Sequence, residues 1–564
     1  MLKQMIDFSK RLRKENFYFQ NEEPDEDIVY VIIPIDDKKS FYYVLKDKHY
    51  DKLDLLENAK KYDDIDDEFK IILKNVQLLT KKLPGDEKGN KSIGSNKGTN
   101  SYNLFIFQGV KKDLSAKIMK VYNERVLRKF KDKVEESVLK KLIFTKEEAN
   151  LLFESVKEVS MKLLGKDYQN VYGKFYFVFE LEDKRAYEDF YVSYLKEKVF
   201  VGENVTKKKG KCPTCGKEGI ISIPDAFNTL NDKKPFLLHL GRPNGYNIMI
   251  CQECALELID FVGKFLNRFT IFPLFMNEKI QQMEIRFLKN GDKKMGFREI
   301  LEQVLEEFDK EDILLDYYLL IYKDDFVYLD YVFNFKYDFN GKSIFEIEDE
   351  LDNLFDKNLK SNYFNQVNVK NSLLEKNIIK YREIIFDFVY RAKYNSLSKE
   401  IIDDIFYDSL SCYLKNLYKE EKRSLKLIEI AFESYKSLNK LFGGDFVENL
   451  ENIELEKLEK IENNYQYYYL IGKLTRYLLE QSKTSDKTHA LVEPFINVNN
   501  SKVLLERVFE LFNKYKHAID FKNKRFDNVF SLVLNYFNSG KLPEQVSKSD
   551  KFYFFEGYFS GKNL

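Results

Sequence analysis

The chain has 564 residues and a mass of 67.3 kDa, too long for one hydrophobic core and expected to divide into two to four domains. Lys plus Arg and Asp plus Glu both number 92, so no global basic field marks a nucleic-acid binder and any such function must be local. No apolar run reaches the roughly 18 residues of a membrane helix, "MLKQMIDFSKRLRKEN" lacks the apolar core of a secretion signal, and five cysteines, four of them in two pairs, fit a reducing, cytoplasmic setting rather than a disulfide framework.

Residues 1–205 read as a mixed α/β domain. Aromatic and β-branched runs, "DIVYVIIPID", "SFYYVL", "NLFIFQG" and "KFYFVFEL", predict strands, and "DDEFKIILKNVQLLTKKL" between them predicts a helix. Residues 84–103, "PGDEKGNKSIGSNKGTNSYN", are rich in Gly, Asn, Ser and Lys and predict a loop. A P-loop is excluded there, because GK[ST] is absent and the order is helix, loop, strand rather than strand, loop, helix. Composition alone reads first as a linker; the same small backbone with amide and ammonium donors also suits insertion into a duplex groove.

Residues 206–275 carry the strongest motif. Cys212 and Cys215 lie in C-P-T-C-G, a knuckle whose turn aims backbone N–H groups at the sulfurs. Cys251 and Cys254 follow the β-like run "YNIMI" and open "CQECALELIDFVGKFL", which has helical spacing. Between the pairs, "GIISI" and the Asn-Gly of "RPNGYNIMI" predict a hairpin. Knuckle, hairpin and helix start make a treble-clef-like zinc finger, and four thiolates close the tetrahedral shell of one Zn2+ per chain with no position left for water or substrate. The expected zinc is therefore structural. His239 between the pairs reads as a hairpin or core residue. The flanking Lys207, Lys208, Lys209 and Lys211, with Arg242 and Asn244 inside the finger, have the reach to contact a nucleic-acid backbone, although a lysine run is also what a solvated face looks like.

Residues 276–372 continue the mixed domain, with acidic helices and the hairpin "DYYLLIYKDDFVYLDYVFNF"; 373–564 show only helical periodicity and predict an antiparallel bundle. In "YLIGKLTRYLLEQ", Leu470, Leu474, Tyr477 and Leu478 form one stripe, while Lys473, Arg476 and Lys483 share another face with Glu480. The fold class is thus α+β followed by an all-α bundle. Catalytic constellations are missing: His49, His239, His489 and His517 are scattered, and H-E-x-x-H and G-x-S-x-G are absent, so no enzyme is expected. "FGGDF" at 442–446 resembles the turn of nucleotide cyclases, but it joins two helical patterns, "LIEIAFESYKSLNKLF" and "VENLENIELEKLEKIEN", and reads as a helix stop and an N-cap.

The loop "SNKGTNSYNLF", the four-cysteine finger leading into "FLNRFTIFPLF", the run "YYLLIY" and the tail "LIGKLTRYLLEQ" followed by "EPF" together resemble the large subunit of a type I-B CRISPR Cascade complex, over most of the chain. The resemblance implies an antiviral ribonucleoprotein subunit beside the 5′ end of the guide RNA. Such a subunit recognises the protospacer-adjacent motif (PAM) in double-stranded DNA, starts strand separation and R-loop formation, holds the displaced strand and helps recruit the helicase-nuclease. Its other implied partners are the Cascade backbone subunits, the subunit capping the 5′ handle and helical small subunits; no membrane is involved. Carried over by motif, Lys91, Asn96, Lys97, Asn100 and Ser101 become the expected PAM contacts, and Lys473, Arg476, Lys483, Lys487, Lys514, Lys522 and Arg525 the expected displaced-strand contacts. Type I-B systems often make a separate small subunit by internal translation. No methionine follows Met295, and a GUG codon at Val447 after a purine-rich Gly443-Gly444 would yield a 118-residue helical product, a small-subunit-like bundle at about 447–564. The alternatives are a type III-like large subunit with cyclase or polymerase activity, and a stand-alone zinc-binding regulator or nuclease.

Overall fold

The computed structural model describes residues 2–15, 17–20, 28–80, 99–109, 113–164, 174–200, 207–224, 249–290, 295–307, 315–324, 326–444, 450–482, 489–520, 522–560 and 564. The chain forms two compact units, Met1–Glu307 with Leu320–Tyr328, and Phe308–Leu319 with Leu329–Leu564. The first is a mixed α/β region that includes the four-cysteine finger, and the second is mostly helical, as the patterns predict.

In the first unit, helix α1 (Leu2–Lys14) precedes strand β1 (Ile28–Pro34), whose residues 28–33 are all buried. Burial on both faces explains why "IVYVIIP" is a continuous apolar run rather than an alternating one. β1 is central in a six-stranded sheet of order β3-β2-β1-β6-β5-β4, with β2 at Tyr42–Leu45, β3 at Ala59–Lys61, β4 at Thr99–Asn103, β5 at Ile106–Gly109 and β6 at Lys174–Glu180. β1 runs parallel to β6, pairing Ile28 with Lys174 through Pro34 with Glu180, and antiparallel to β2. Helices α2 (Asp67–Thr80), α3 (Lys146–Leu164) and α4 (Ala186–Lys198) belong to the same unit. Aromatic contacts knit its interior; Phe107 stacks on Phe177 at 4.8 Å between centroids and lies 4.4 Å from Tyr122.

The finger follows as β7 (Lys208–Lys211), β8 (Glu218–Ser222), β9 (Ile250–Cys251) and helix α5 (Gln252–Asp260), then β10 (Ile271–Phe275), α6 (Glu278–Asn290) and α7 (Phe297–Glu307). The predicted hairpin is β11 (Leu315–Lys323) and β12 (Phe326–Phe335), in a sheet of order β10-β11-β12.

The second unit holds α8 (Ile344–Leu354), α9 (Ser372–Tyr390), α10 (Lys399–Asn416), α11 (Glu421–Leu441), α12 (Asn464–Glu480), α13 (Ser501–Tyr515), α14 (Lys524–Asn538) and α15 (Lys548–Phe559). It begins well before residue 372, where the sequence suggested a boundary, because α8 joins the helices: the Tyr413 hydroxyl donates to Leu354 O at 2.7 Å and Asn353 Nδ2 to Ser434 Oγ at 3.3 Å.

Two expectations for the tail are corrected. α12 is not amphipathic, since Gln466–Thr475 are all buried; it is the core helix of the unit and crosses α15 backbone to backbone. A Cβ on Gly472 would meet the Phe554 carbonyl group, and one on Gly557 the Tyr469 carbonyl group, so both positions require glycine to permit the approach. The predicted helix after "FGGD" is also absent from the described residues. Residues 445–449 lie outside the described residues, Leu450–Asn452 form a single 3-10 turn, and regular helix resumes only after the N-cap Asn463. The Asn528 amide donates to Leu455 O at 2.9 Å and Leu458 O at 3.0 Å, taking carbonyls that a helix would use internally. The glycines do end α11 as expected, with Gly443 at φ 75° and Gly444 N donating to Asn439 O.

Candidate metal centre

The knuckle folds because local backbone bonds close it. Cys212 N donates to Lys217 O at 2.8 Å, Gly216 N to Cys212 O at 2.9 Å, and Gly216 supplies the left-handed φ of 76° that the turn needs. β8 pairs with β9 through Ile221 and Cys251, which delivers the second cysteine pair to the first turn of α5. Lys217 ties the knuckle to that turn by an ion pair with Glu253 at 2.6 Å.

The four sulfurs lie within 4.8 Å of one another, and Cys215 and Cys251 Sγ are 3.6 Å apart. A tetrahedron with Zn–S bonds of ~2.3 Å has S···S edges of about 3.8 Å, so the donor set fits a four-coordinate thiolate-loving ion. Cys212 and Cys254 are buried, Cys215 and Cys251 half-buried. Burial raises the Cys212 thiol, but backbone N–H groups of Cys215, Cys251 and Thr214 outweigh it and bring it down to about 6. Burial pushes Cys251 and Cys254 up, so without a cation the cluster resists full ionisation, and a bound cation would supply the missing charge.

The sequence reading missed what α5 does at its far end. Ser9 of α1 donates to Glu257 Oε2 at 2.7 Å and contacts the Tyr18 hydroxyl at 2.7 Å, while Arg13 Nε donates to Glu257 Oε1 at 2.8 Å. Arg13 also pairs with Asp260, a residue only 2% exposed, which Lys264 reaches at 2.9 Å. Burial alone would raise the Asp260 carboxyl; Lys264 and Arg13 overcome it and hold the group below its ordinary range. Phe8 packs on Phe261, Phe265 and Phe272 beside this network. The metal loop thus sits at one end of a helix whose other end is fixed to the start of the chain. The legible signal was an acid, Asp260, in an apolar stripe of "CALELIDF".

Lys207, Lys208, Lys209 and Lys211 are exposed along β7 and its approach, the edge strand of the finger sheet, and none of them forms an ion pair among the described residues. The predicted tail cations are placed differently. Lys473 is buried, its ammonium 5.5 Å from the centre of the Tyr469 ring, and so leaves the exposed face on which it was expected. Arg476 pairs with Glu480 at 2.8 Å and Arg525 with Glu456 at 2.5 Å; Lys514 and Lys522 are exposed. Asn100 and Ser101, expected in a loop, lie in β4, the edge strand of the sheet, paired antiparallel to β5 with Asn100 opposite Gln108. Lys91, Asn96, Lys97, His239, Arg242, Asn244, Val447, Lys483 and Lys487 lie outside the described residues. No helix among the described residues is long and apolar enough to cross a membrane. Compared with protein-family models and with curated proteins, the chain matches none.

Proposed function

We propose that this chain is the large, DNA-recognising subunit of a type I-B CRISPR Cascade complex, acting as a recognition subunit rather than an enzyme, with a structural zinc in the four-cysteine site. The observation that carries the reading is the basic edge strand held by the finger. In a chain of zero formal net charge, four lysines with no ion pair among the described residues stand within five positions immediately before Cys212, fixed to the protein by the metal loop and by α5. Such a strip suits the sugar-phosphate backbone of guide RNA or target DNA, which positions a protein without reading sequence. Motif reading falls to Lys91, Asn96, Lys97, Asn100 and Ser101, and the displaced strand to Lys514 and Lys522 with Arg476, Lys483, Lys487 and Arg525. Lys473, being buried, drops out of that group.

A tail-only product starting at Val447 would include α12 to α15 but would leave bare the face of α15 that α10 and α11 cover. Phe552 on that face packs on Phe406 at 5.5 Å, Phe432 at 5.2 Å and Tyr435 at 4.9 Å. Such a subunit would need a partner surface there. The type III-like reading is disfavoured because Gly443 and Gly444 act as a helix stop, and production of cyclic oligoadenylate would revive it. Tagged chain expressed with its neighbouring operon is expected to co-purify with a guide RNA and several backbone subunits; isolation of a lone active enzyme would refute the proposal.

A further inference from the structure

A cavity of about 330 Å3 opens in the second unit between the first turn of α11, the last turn of α12, the 3-10 turn His489–Val492 and the end of α15. That volume lies at the lower end of the range for small-molecule sites. Leu425, Leu479 and Leu491 supply apolar walls, and Arg476, Glu480, Glu421, His489 and Tyr558 converge between them.

Among the described residues, the hydrogen-bond capacity of these groups is partly unspent. Arg476 uses Nε on Glu480 and one Nη1 hydrogen on Tyr558 O at 3.3 Å, so two of its five donors are engaged and the terminal Nη1–Nη2 fork remains. Glu421 accepts the His489 backbone N–H through Oε1 at 2.9 Å and keeps Oε2. His489 Nδ1 lies 3.4 Å from the Tyr558 hydroxyl, leaving Nε2. Burial, helped by Arg476, lowers the imidazole below its ordinary range, against the pull of Glu421 and Glu480. Among the described lining residues, one guanidinium faces two carboxylates.

That balance favours a neutral ligand over an anion, and the free fork and carboxylate oxygen suit one with two adjacent acceptors on one edge and donors on another. We propose that the cavity is a binding site for a single unpaired guanine, with the Arg476 fork on O6 and N7, Glu421 Oε2 accepting from N1–H and the 2-amino group, and the leucines covering the ring. Arginine matches the O6/N7 pair of guanine in two parallel bonds. Adenine offers N7 but presents a donor in place of O6, which would set N–H against N–H. Guanine reaches such a cavity either as a free nucleoside or as an unstacked base of a single strand. The site stands whether or not the chain is a Cascade subunit.

The test is isothermal titration of the purified full-length protein with guanosine, inosine and adenosine. Guanosine is expected to bind at least tenfold more tightly than adenosine, with inosine, which lacks the 2-amino group, in between. Arg476→Lys keeps the charge and a partner for Glu480 but loses the fork; Glu421→Gln keeps an acceptor for the His489 N–H but loses the carboxylate. Each is expected to weaken guanosine at least tenfold at unchanged melting temperature. A second arm compares an oligothymidylate with and without one central dG. A tenfold gain from dG that Arg476→Lys removes assigns the source to single strands; guanosine binding without that gain assigns it to the free nucleoside. No guanosine binding at millimolar concentration, equal affinity for guanosine and adenosine, or wild-type affinity in both variants would overturn the proposal.

Discussion

The α12–α15 crossing allows a stability change to be worked from geometry. In Gly472→Ala, the new Cβ would stand 2.9 Å from the Phe554 carbonyl carbon and 3.0 Å from Tyr558 N, where ordinary contact begins at 3.4 Å, and closer still to the Phe554 oxygen. These are backbone atoms that no rotamer change can move, so the helices must part by roughly 1 Å, a gap that forfeits about a quarter to a half of the dispersion across the seam. Overpacking of this kind costs about 1–3 kcal/mol, and the gain of ~1 kcal/mol from replacing a helical glycine offsets part of it. The buried lengths of both helices place the cost at the upper end, so a net loss of about 2 kcal/mol is expected, roughly a 30-fold change in an equilibrium constant. Hydrogen exchange is the local assay: peptides covering Tyr467–Leu474 and Phe552–Tyr558 should lose protection by that factor. Gly557→Ala meets the Tyr469 carbonyl group across the same seam, so the double variant should cost clearly less than the sum of the singles. Unchanged or slower exchange in Gly472→Ala, or strict additivity, would refute the argument.

Cys254→Ser should abolish binding of one zinc per chain, measured by metal analysis, and should also lower exchange protection in α1, since α5 carries the metal turn to Ser9 and Arg13; unaltered protection of α1 would separate the two. Asp260→Asn removes the buried anion that Arg13 and Lys264 share, leaving Arg13 with Glu257, and should cost about 3 kcal/mol in urea unfolding of the first unit. Replacing Lys207, Lys208, Lys209 and Lys211 with Gln should flatten the slope of log K against log salt for nucleic-acid binding by up to about 3.6 on duplex DNA; an unchanged slope would return the lysines to mere solvation. Lys551, buried and bonded to Tyr407, Ile496 O and Asn499, is brought down to about 8 by burial and then Lys548. The unfolded chain therefore holds a proton that the folded chain has released between about pH 8 and 10.5, so stability should rise over that window until tyrosine ionisation opposes it, by at most about 3 kcal/mol. The rise should vanish in Lys551→Met.

Strands β1, β2, β5 and β6 of the first unit and the cysteine cluster were legible because their signals are local, whereas β3 and β4 carry no apolar run. "IVYVIIP" is apolar at every position that β1 buries, and each CxxC pair carries its own turn or helix start. The errors came where a distant side chain decides local structure. Residues 453–462 have helical composition, yet Asn528, some 70 positions on, takes their carbonyls. Lys473 looked solvent-facing because a one-helix pattern assumes one neighbour, whereas α12 is enclosed on all sides through its middle turns. The cavity of the second unit draws Glu421, Arg476, His489 and Tyr558 from four separate elements with no common spacing, which leaves no motif to read. Asp260 carried a signal, an acid among apolar neighbours, but its partner Arg13 lies 247 positions away.

The fastening of α1 to α5 also sets an order of events at the ribosome. Ser9 is translated 248 residues before Glu257, which at ~5–20 residues per second is a delay of roughly 10–50 s. Throughout that interval Phe8 and Leu12, both fully buried in the finished protein, have no finger helix to cover them. Until the finger helix is made, Phe8 therefore lacks the Phe261, Phe265 and Phe272 rings that cover it in the finished protein. With a cation needed to close the cysteine cluster, shortage of that ion is expected to prolong this exposure, and soluble yield on expression in metal-depleted medium measures it.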